Sequence, residues 1–289
     1  MIKTIDPKTI PVPELHGILL GAIAPRPIAF ASTIDNAGKV NLSPFSFFNV
    51  FSANPPIMIF SPARRVRDNT TKDTLDNVHE VKEVCISIVN YSMVQQMSLT
   101  STEYAKGVNE FIKAGLTEVD SEKIRPPYVK ESPVSFECVV KKIQPLGTEG
   151  GAGNLVICEV VLIHLDEAIL NEEGKIDPHK ITAVARMGGD WYCKAESQNI
   201  FKVEKPIKNK GIGFDQLPDI IRKSNILTGN DLAILANVEK IPTLDRLKEE
   251  LPDFEATDFG RLTENDRHQK AHELLRKYKV NEAWFILLA

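Results

Sequence analysis

Short apolar runs, each closed by Gly, Pro, Asn or Asp, dominate the first part of the chain. That spacing is the mark of closely set strands. VPELHGILLGAIAP reads as a short helix ended by Gly and Pro. RPIAFASTI (26–34) reads as a strand, DNAG (35–38) as a turn and KVNLSPF as its hairpin partner. PPIMIFSP (55–62) is another apolar strand. After the basic loop ARRVRDN, the stretch TTKDTLDNVHEVKE has a helix-start signature, with Thr71 or Asp73 placed to cap. VCISIVN (84–90) is β-branched and strand-like, and SMVQQMSLTS and VNEFIKAG read as two short helices. PVSFECVVKKIQPLG (133–147) and NLVICEVVLIHLDEAIL (154–170) are long strands joined by TEGGAGN. A strand follows that Gly-rich link, not a helix, so it reads as a hairpin turn and not as a phosphate loop.

The pattern changes after Trp191-Tyr192. KVEKPIKNKGIG (202–213) has linker composition, and from FDQLPDIIRKS onward the periodicity is helical and charged, through LDRLKEEL and NDRHQKAHELLRKYKV. The expectation is a β-rich domain over 1–200 and a helical extension over 201–289, with no internal repeat. Close-set strands with few strand–helix–strand alternations predict an antiparallel barrel, mainly β with helices, and not a doubly wound sheet. No G-x-G-x-x-G follows a predicted strand, which argues against a dinucleotide fold.

Composition narrows the function classes. The formal charge of −4 over 289 residues provides no broad attraction for nucleic acid or an anionic membrane. Cys85, Cys138, Cys158 and Cys193 form no C-x-x-C pair and sit mostly in apolar runs, so neither disulfides nor a thiolate metal site is expected. No apolar run approaches the ~20 residues that span a bilayer. MIKTIDPKTI lacks the pattern of a signal or transit peptide, so the expected location is cytoplasmic.

One stretch resists a purely structural reading. NLSPFSFFNVFSANPPIMIF (41–60) looks like buried β-structure, yet Ser43, Pro44, Ser46, Asn49 and Asn54 interrupt it. Between Arg26 and Thr74 lie hydroxyls (Ser32, Thr33, Ser43, Ser46, Ser61), aromatics (Phe45, Phe47, Phe48) and the basic run RRVRDNTTKDT. A flat phosphorylated heterocycle needs apolar walls, a few placed hydrogen bonds, and cations at a helix start. The alternative is that Ser and Pro mark turns and bulges, while Arg64, Arg65 and Arg67 form a solvated loop; residue types leave both open. His164 reads as a packed core residue more than a catalytic one, and His179 as a loop residue. Arg186, Gly188, Gly189 and Tyr192 would either shape a ligand rim or end a strand. His268 and His272 stand i, i+4 on a predicted helix, a spacing able to bind metal, but without a third ligand they read as a solvated helix face, while Glu103, Glu110 and Asp120 show no acid–base pairing.

APRPIAFASTIDNAGKVNLSPFSFFNVFSANPPIMIFS, followed by TKDTLDNV, resembles the flavin reductase-like, FMN-binding split-barrel family, of the nitrilotriacetate monooxygenase component B and flavoredoxin type. SPVSFECVV, EVVLIHLDEAIL and VARMGGDWY extend the likeness to about residues 10–195. The resemblance implies a split β-barrel with a helical C-terminal appendage that lies outside the basic fold. It implies FMN as cofactor, NADH or NADPH as donor with hydride transfer to flavin N5, a homodimer, and a monooxygenase or redox-protein partner. Ser32 and Thr33, with Ser43, Phe45, Ser46 and Phe47, would meet the isoalloxazine and ribityl parts. Ser61, Arg64, Thr71, Lys72 and Thr74 would surround the phosphate, Asp73 would cap the helix, and Arg26 would reach phosphate or serve as an ion-pair partner. PARRVRDNT departs from the family's more Gly- and Lys-rich loop. No catalytic side chain is implied. The expected activity is that of an NAD(P)H:flavin reductase; the alternatives are a flavoredoxin-like electron carrier and a non-catalytic FMN-binding protein.

Overall fold

The computed structural model describes residues 1–207, 210–255 and 261–289. The chain folds into two compact units, Met1–Phe201 and Lys202–Ala289. Part of the 202–213 linker stretch lies outside the described residues.

The first unit opens with helix α1 (Val12–Ala22). Strands β1 (Ala29–Ile34), β2 (Val40–Phe45), β3 (Phe48–Ala53) and β4 (Pro56–Phe60) follow, then α2 (Asp73–Glu80) and β5 (Glu83–Ile88). Next come α3 (Val94–Leu99), α4 (Glu110–Ala114), and the two-residue strands β6 (Glu118–Val119) and β7 (Tyr128–Val129). The long hairpin β8 (Val134–Pro145) and β9 (Asn154–Leu165) precedes the small pair β10 (Val184–Gly188) and β11 (Trp191–Lys194).

Seven strands form one antiparallel sheet in the order β2-β1-β5-β8-β9-β4-β3. Its two edges, β2 and β3, are consecutive in the chain and separated only by Ser46 and Phe47. The sheet must therefore curl until its edges meet at that corner, without pairing along their length, which leaves a barrel with an open seam. The amide of Ser61 donates to the Phe47 carbonyl at 2.8 Å and ties the end of β4 to the same corner. Inside the curl, Ala29 and Ala31 of β1 lie with Phe45, Phe60, Ile86, Cys138 and Val156 against Leu75 and Val78 of α2. On the outer side Phe30, Leu42, Val89 and Met97 pack with Phe111 of α4. All six residues of β1 are buried, Ser32 and Thr33 among them, so the strand shows no alternation of buried and exposed positions.

Three expectations need correction. The stretch 41–60 is not uniformly buried: β3 is an exposed edge, with Val50 and Phe51 at 61% and 63% exposure, because its outer side has no neighbouring strand among the described residues. Neither Thr71 nor Asp73 caps α2. The cap position belongs to Lys72, which makes no side-chain cap bond; Asp73 is already helical, and the Thr71 hydroxyl donates to Asp76 instead, at 3.2 Å. Nor is the extension merely charged. The second unit contains α5 (Asp219–Arg222), α6 (Gly229–Ala236), α7 (Leu244–Glu250), α8 (Pro252–Glu255), α9 (Glu264–Leu275) and α10 (Val280–Leu288). Its own core is built on Trp284, Leu235, Leu247 and Leu275, each fully buried.

The histidine pair on α9 also departs from the expected solvated face. His268 is buried against the Ser224 hydroxyl at 2.8 Å. His272 meets Asp231 at 2.8 Å, the residue that closes the Thr228–Asp231 capping box of α6. Among the described residues no His, Cys, Asp or Glu cluster suits a metal ion. Cys85, Cys138, Cys158 and Cys193 are free thiols, and no described helix is long and apolar enough to cross a membrane.

Candidate functional site

The seam brings together side chains that the sequence scatters over thirty residues. Lys72 sits where α2 begins and points back across β2, donating from Nζ to Ser43 Oγ at 2.8 Å. The same ammonium lies 5.2 Å from the centroid of the Phe45 ring. Phe45 in turn packs on Phe60 at 5.3 Å, and Phe60 leads directly to Ser61. Burial pushes Lys72 down to about 8, and neighbouring Arg65 adds to that effect, while Glu110 and Glu103 oppose it. A half-buried cation with a hydroxyl acceptor, and no carboxylate in contact among the described residues, is poised for an anion.

The direction of each hydrogen bond decides what the hydroxyls can offer. Ser43 accepts from Lys72, so its own O–H remains free to donate. Thr33 Oγ1 accepts from Asn77 Nδ2 at 3.1 Å, which also leaves its proton uncommitted, although the residue is fully buried. Thr74 is the reverse case: its hydroxyl donates to Asn41 Oδ1 at 2.7 Å. Asn41 must present that oxygen because its amide group donates to Glu110 Oε1 at 3.0 Å. The second oxygen of Glu110 takes the Leu42 amide at 2.9 Å. Glu110 thus ends a buried relay, and burial raises its carboxyl above the ordinary range. Sequence reasoning misses Asn41, Asn77 and Glu110 as site residues. The only signal is that buried amides and acids need partners, and those partners lie 33 to 69 positions away along the chain.

Ser61 is almost buried, and a Cβ on Gly153 would fall 2.7 Å from its Oγ. The glycine of the β8–β9 turn is therefore what makes room for that hydroxyl. Ser32 is fully buried, and its Oγ has no partner among the described residues. Ser46 lies 3.5 Å from Arg26 Nε, and the Phe47 ring meets the His16 ring of α1 edge-on at 6.4 Å.

The arginines are more committed than the sequence implied. Arg64 binds Asn69 through Nε (2.6 Å) and Nη2 (2.8 Å), bracing a loop in which Asn69 has φ +58°. Arg65 donates to Thr70 Oγ1 (2.8 Å) and the Thr71 carbonyl (2.7 Å) and pairs with Glu103 at 3.2 Å. Arg67 is held by Asp68 and Glu103. Glu103 therefore cancels much of the loop's charge, whereas Lys72 touches no described carboxylate. Arg26 makes no ion pair with a described residue, and its Nη2 is buried with no partner among the described residues. Its Nη1 donates to the Leu20 and Ile23 carbonyls, and burial together with Arg186 lowers its pKa.

A cleft lies elsewhere, at the other end of the β8–β9 hairpin. It encloses about 420 Å³ and is lined by Tyr128, Ser135, His164 and Lys180 among others. Two of its polar groups are already engaged by buried neighbours. His164 meets the buried Glu137 at 2.7 Å and stacks on Tyr128 at 4.5 Å, and Ser135 pairs with Ser87. Burial would raise the Glu137 carboxyl, but the Glu122 and Lys123 amides with His164 outweigh it and hold it low. His179 is exposed in a turn. Arg186 lies over Tyr192 at 4.8 Å and donates to the Gly189 carbonyl at 2.5 Å.

Residues 21–178 match the flavin reductase-like domain family. An uncharacterised protein of Aquifex aeolicus is 38% identical over 189 residues, which is 65% of this chain and 94% of that protein. The crystal structure of nitrilotriacetate monooxygenase component B from Bacillus cereus superposes with a TM-score of 0.65 at 30% identity, covering 71% of this chain and 98% of that one. A Shewanella frigidimarina structure, described as a flavin reductase with split barrel domain, gives 0.58 at 26% identity, covering 68% and 95%. The open-seamed seven-stranded barrel, with its helix start aimed across the corner, belongs to a member of the flavin reductase-like domain family.

Proposed function

We propose that the seam holds FMN and that the protein is an NAD(P)H:flavin reductase. The observation that carries this reading is Lys72, a half-buried ammonium on Ser43 and Phe45 at the first turn of α2, with no described carboxylate in contact. The donor set fits the group. Lys72, the free O–H of Ser43, and Ser61 in the hollow left by Gly153 would take the phosphate, while Phe45 and the Ser46–Phe47 corner would border the ring system. Arg64 serves this site through the loop it braces. Thr71 and Thr74 contribute backbone at the helix start, since their hydroxyls donate elsewhere.

When bound, FMN supplies the redox chemistry, accepting hydride at N5 from NADH or NADPH and passing electrons onward. The chain's part is to bind, orient and set the local charge. The unpaired sheet edges at the seam offer backbone donors for charge that develops on a reduced ring. Hydride transfer to flavin calls for no side-chain acid–base pair. We take the working form to be a homodimer, because exposed apolar Val50 and Phe51 on an edge strand favour burial against a second copy. A monooxygenase component or redox protein would be the acceptor.

Purified protein should be yellow or become so on FMN titration. Anaerobic mixing with NADH or NADPH should bleach the flavin absorbance. Flavin binding without bleaching by either donor, together with rapid exchange with a redox protein, would make it an electron carrier of the flavoredoxin kind. Binding with neither would leave a non-catalytic flavin carrier, and no binding at all would end the reading.

A further inference from the structure

Helix α1 raises a question that the flavin reading leaves unanswered. It is apolar and 11 residues long, yet none of its residues is buried. Val12 and Leu19 are 49% and 50% exposed. A surface helix is normally held by an apolar stripe pressed into the core, so something else must hold this one.

That something is Arg26. Its side chain is buried and touches no described acid, and its Nη2 has no partner among the described residues. Nη1 donates to the carbonyls of Leu20 and Ile23, groups that the end of a helix leaves without intrahelical partners. A cation at a helix C-terminus is also favoured by the helix dipole. Nε lies 3.5 Å from Ser46 Oγ at the seam corner. The backbone of Arg26 pairs with Arg186 in both directions at 2.9 Å, joining it to β10. One residue therefore gathers the helix end, the corner and the R-x-G-G strand.

The rest of α1 touches the seam at separated points. At its C-terminal end, a Cβ on Gly188 would lie 3.3 Å from the Leu20 carbonyl and 3.4 Å from Gly21 Cα. That glycine also has φ +147°, so close approach and backbone both exclude a side chain. At the N-terminal end, Val12 Cγ1 would lie 3.2 Å from a Cβ on Gly151 in the β8–β9 turn. Between them His16 meets Phe47. The helix bridges the seam from one glycine turn to another, with the Ser46–Phe47 corner beneath.

We propose that Arg26 is a positioning residue that clamps α1 as the roof of the seam, and that α1 controls how fast a flavin enters and leaves. The proposal rests on the FMN reading above. It assigns Arg26 to the helix and not to the phosphate, and it makes His16 and Phe47 the contact through which the roof closes.

The test uses the full-length protein with Arg26→Gln and Arg26→Lys, amide hydrogen exchange over residues 12–23, and FMN association and dissociation rates by stopped-flow fluorescence. Arg26→Gln should raise exchange in 12–23 by about tenfold and leave β5 and β8 unchanged. A loosened roof should raise both rates together by about fivefold, so that Kd moves by less than about threefold. Arg26→Lys, which keeps a cation and donors, should recover part of both effects. His16→Ala, at an exposed position safe for folding, should likewise raise both rates. Faster dissociation alone, with Kd weakened to match, would make Arg26 a direct flavin ligand and overturn the roof. Unchanged exchange in 12–23 would overturn the clamp. Failure of the unmodified protein to bind FMN would overturn the flavin reading and the roof with it, while the exchange measurement would still judge the clamp by itself.

Discussion

At the scale of single residues, Lys72 governs the seam. Its charge is held in a half-buried place by Ser43 and Phe45 and not by an acid, so the fold leaves it available for an anionic ligand. Lys72→Ala should weaken FMN binding by roughly 1.5–3 kcal/mol, more than about tenfold, and barely alter riboflavin binding. Equal losses for the two flavins in parallel titrations would relocate the phosphate. The pH dependence follows from the same burial. FMN needs the protonated amine, so affinity should decline as pH rises through about 8. The stability of the ligand-free protein should respond in the opposite sense. Between that value and the ~10.4 of a free lysine, the unfolded chain binds the extra proton, so this group's contribution rises with pH. Lys72→Arg should flatten both slopes. A subtler change is Gly153→Ala, whose methyl would fall 2.7 Å from Ser61 Oγ and force that hydroxyl to rotate. Since Gly153 has no left-handed backbone, Tm should hardly move while FMN affinity drops; a large fall in Tm without a change in affinity would refute the role of Ser61.

Elements were legible to different degrees. The hairpin of β1 and β2, the helix start near Lys72 and the long β8–β9 pair are local features, announced by turn residues and periodicity. Strand β3 was not, because its apolar residues imitate a buried run while it forms an open edge. Whether an apolar strand faces core, partner or solvent depends on its neighbours in the sheet, and neighbour order is set by contacts remote in sequence. The α9 histidines failed for the same reason: their i, i+4 spacing describes a face, but Ser224 and Asp231 on other elements decide what that face meets. If the proposed homodimer forms through β3, Phe51→Glu should leave far-UV circular dichroism intact and shift the mass seen by light scattering from dimer towards monomer. An unchanged mass would remove β3 as that interface.

For the whole molecule, the notable fact is that each unit has its own core. Deleting residues 202–289 should therefore leave FMN affinity within about threefold, since every side chain assigned to the seam lies before Phe201. The second unit should show its own response to acid. His268 is buried and its pKa is lowered, mainly by desolvation, so the folded state resists its protonation. The stability it protects is present above the free histidine value near 6.5 and is lost as pH falls below it. Thermal melts of the full chain followed at Trp284, the unit's buried indole, should show this decline, and His268→Gln should reduce it. An acid response unaffected by that change would assign it to other groups.

Local chemistry alone determined the β-rich first unit, the helical second one, the hydroxyl- and aromatic-rich stretch from Arg26 to Thr74, and the absence of paired cysteines, because turns, periodicity and residue type act over a few positions. Only the folded molecule decided which hydroxyls still have a proton to give, that Glu103 neutralises the arginine loop while Lys72 touches no described carboxylate, and that Arg26 holds a helix. Hydrogen-bond direction and charge compensation are properties of partners, and those partners meet only when the sheet curls and its two edges arrive at one corner.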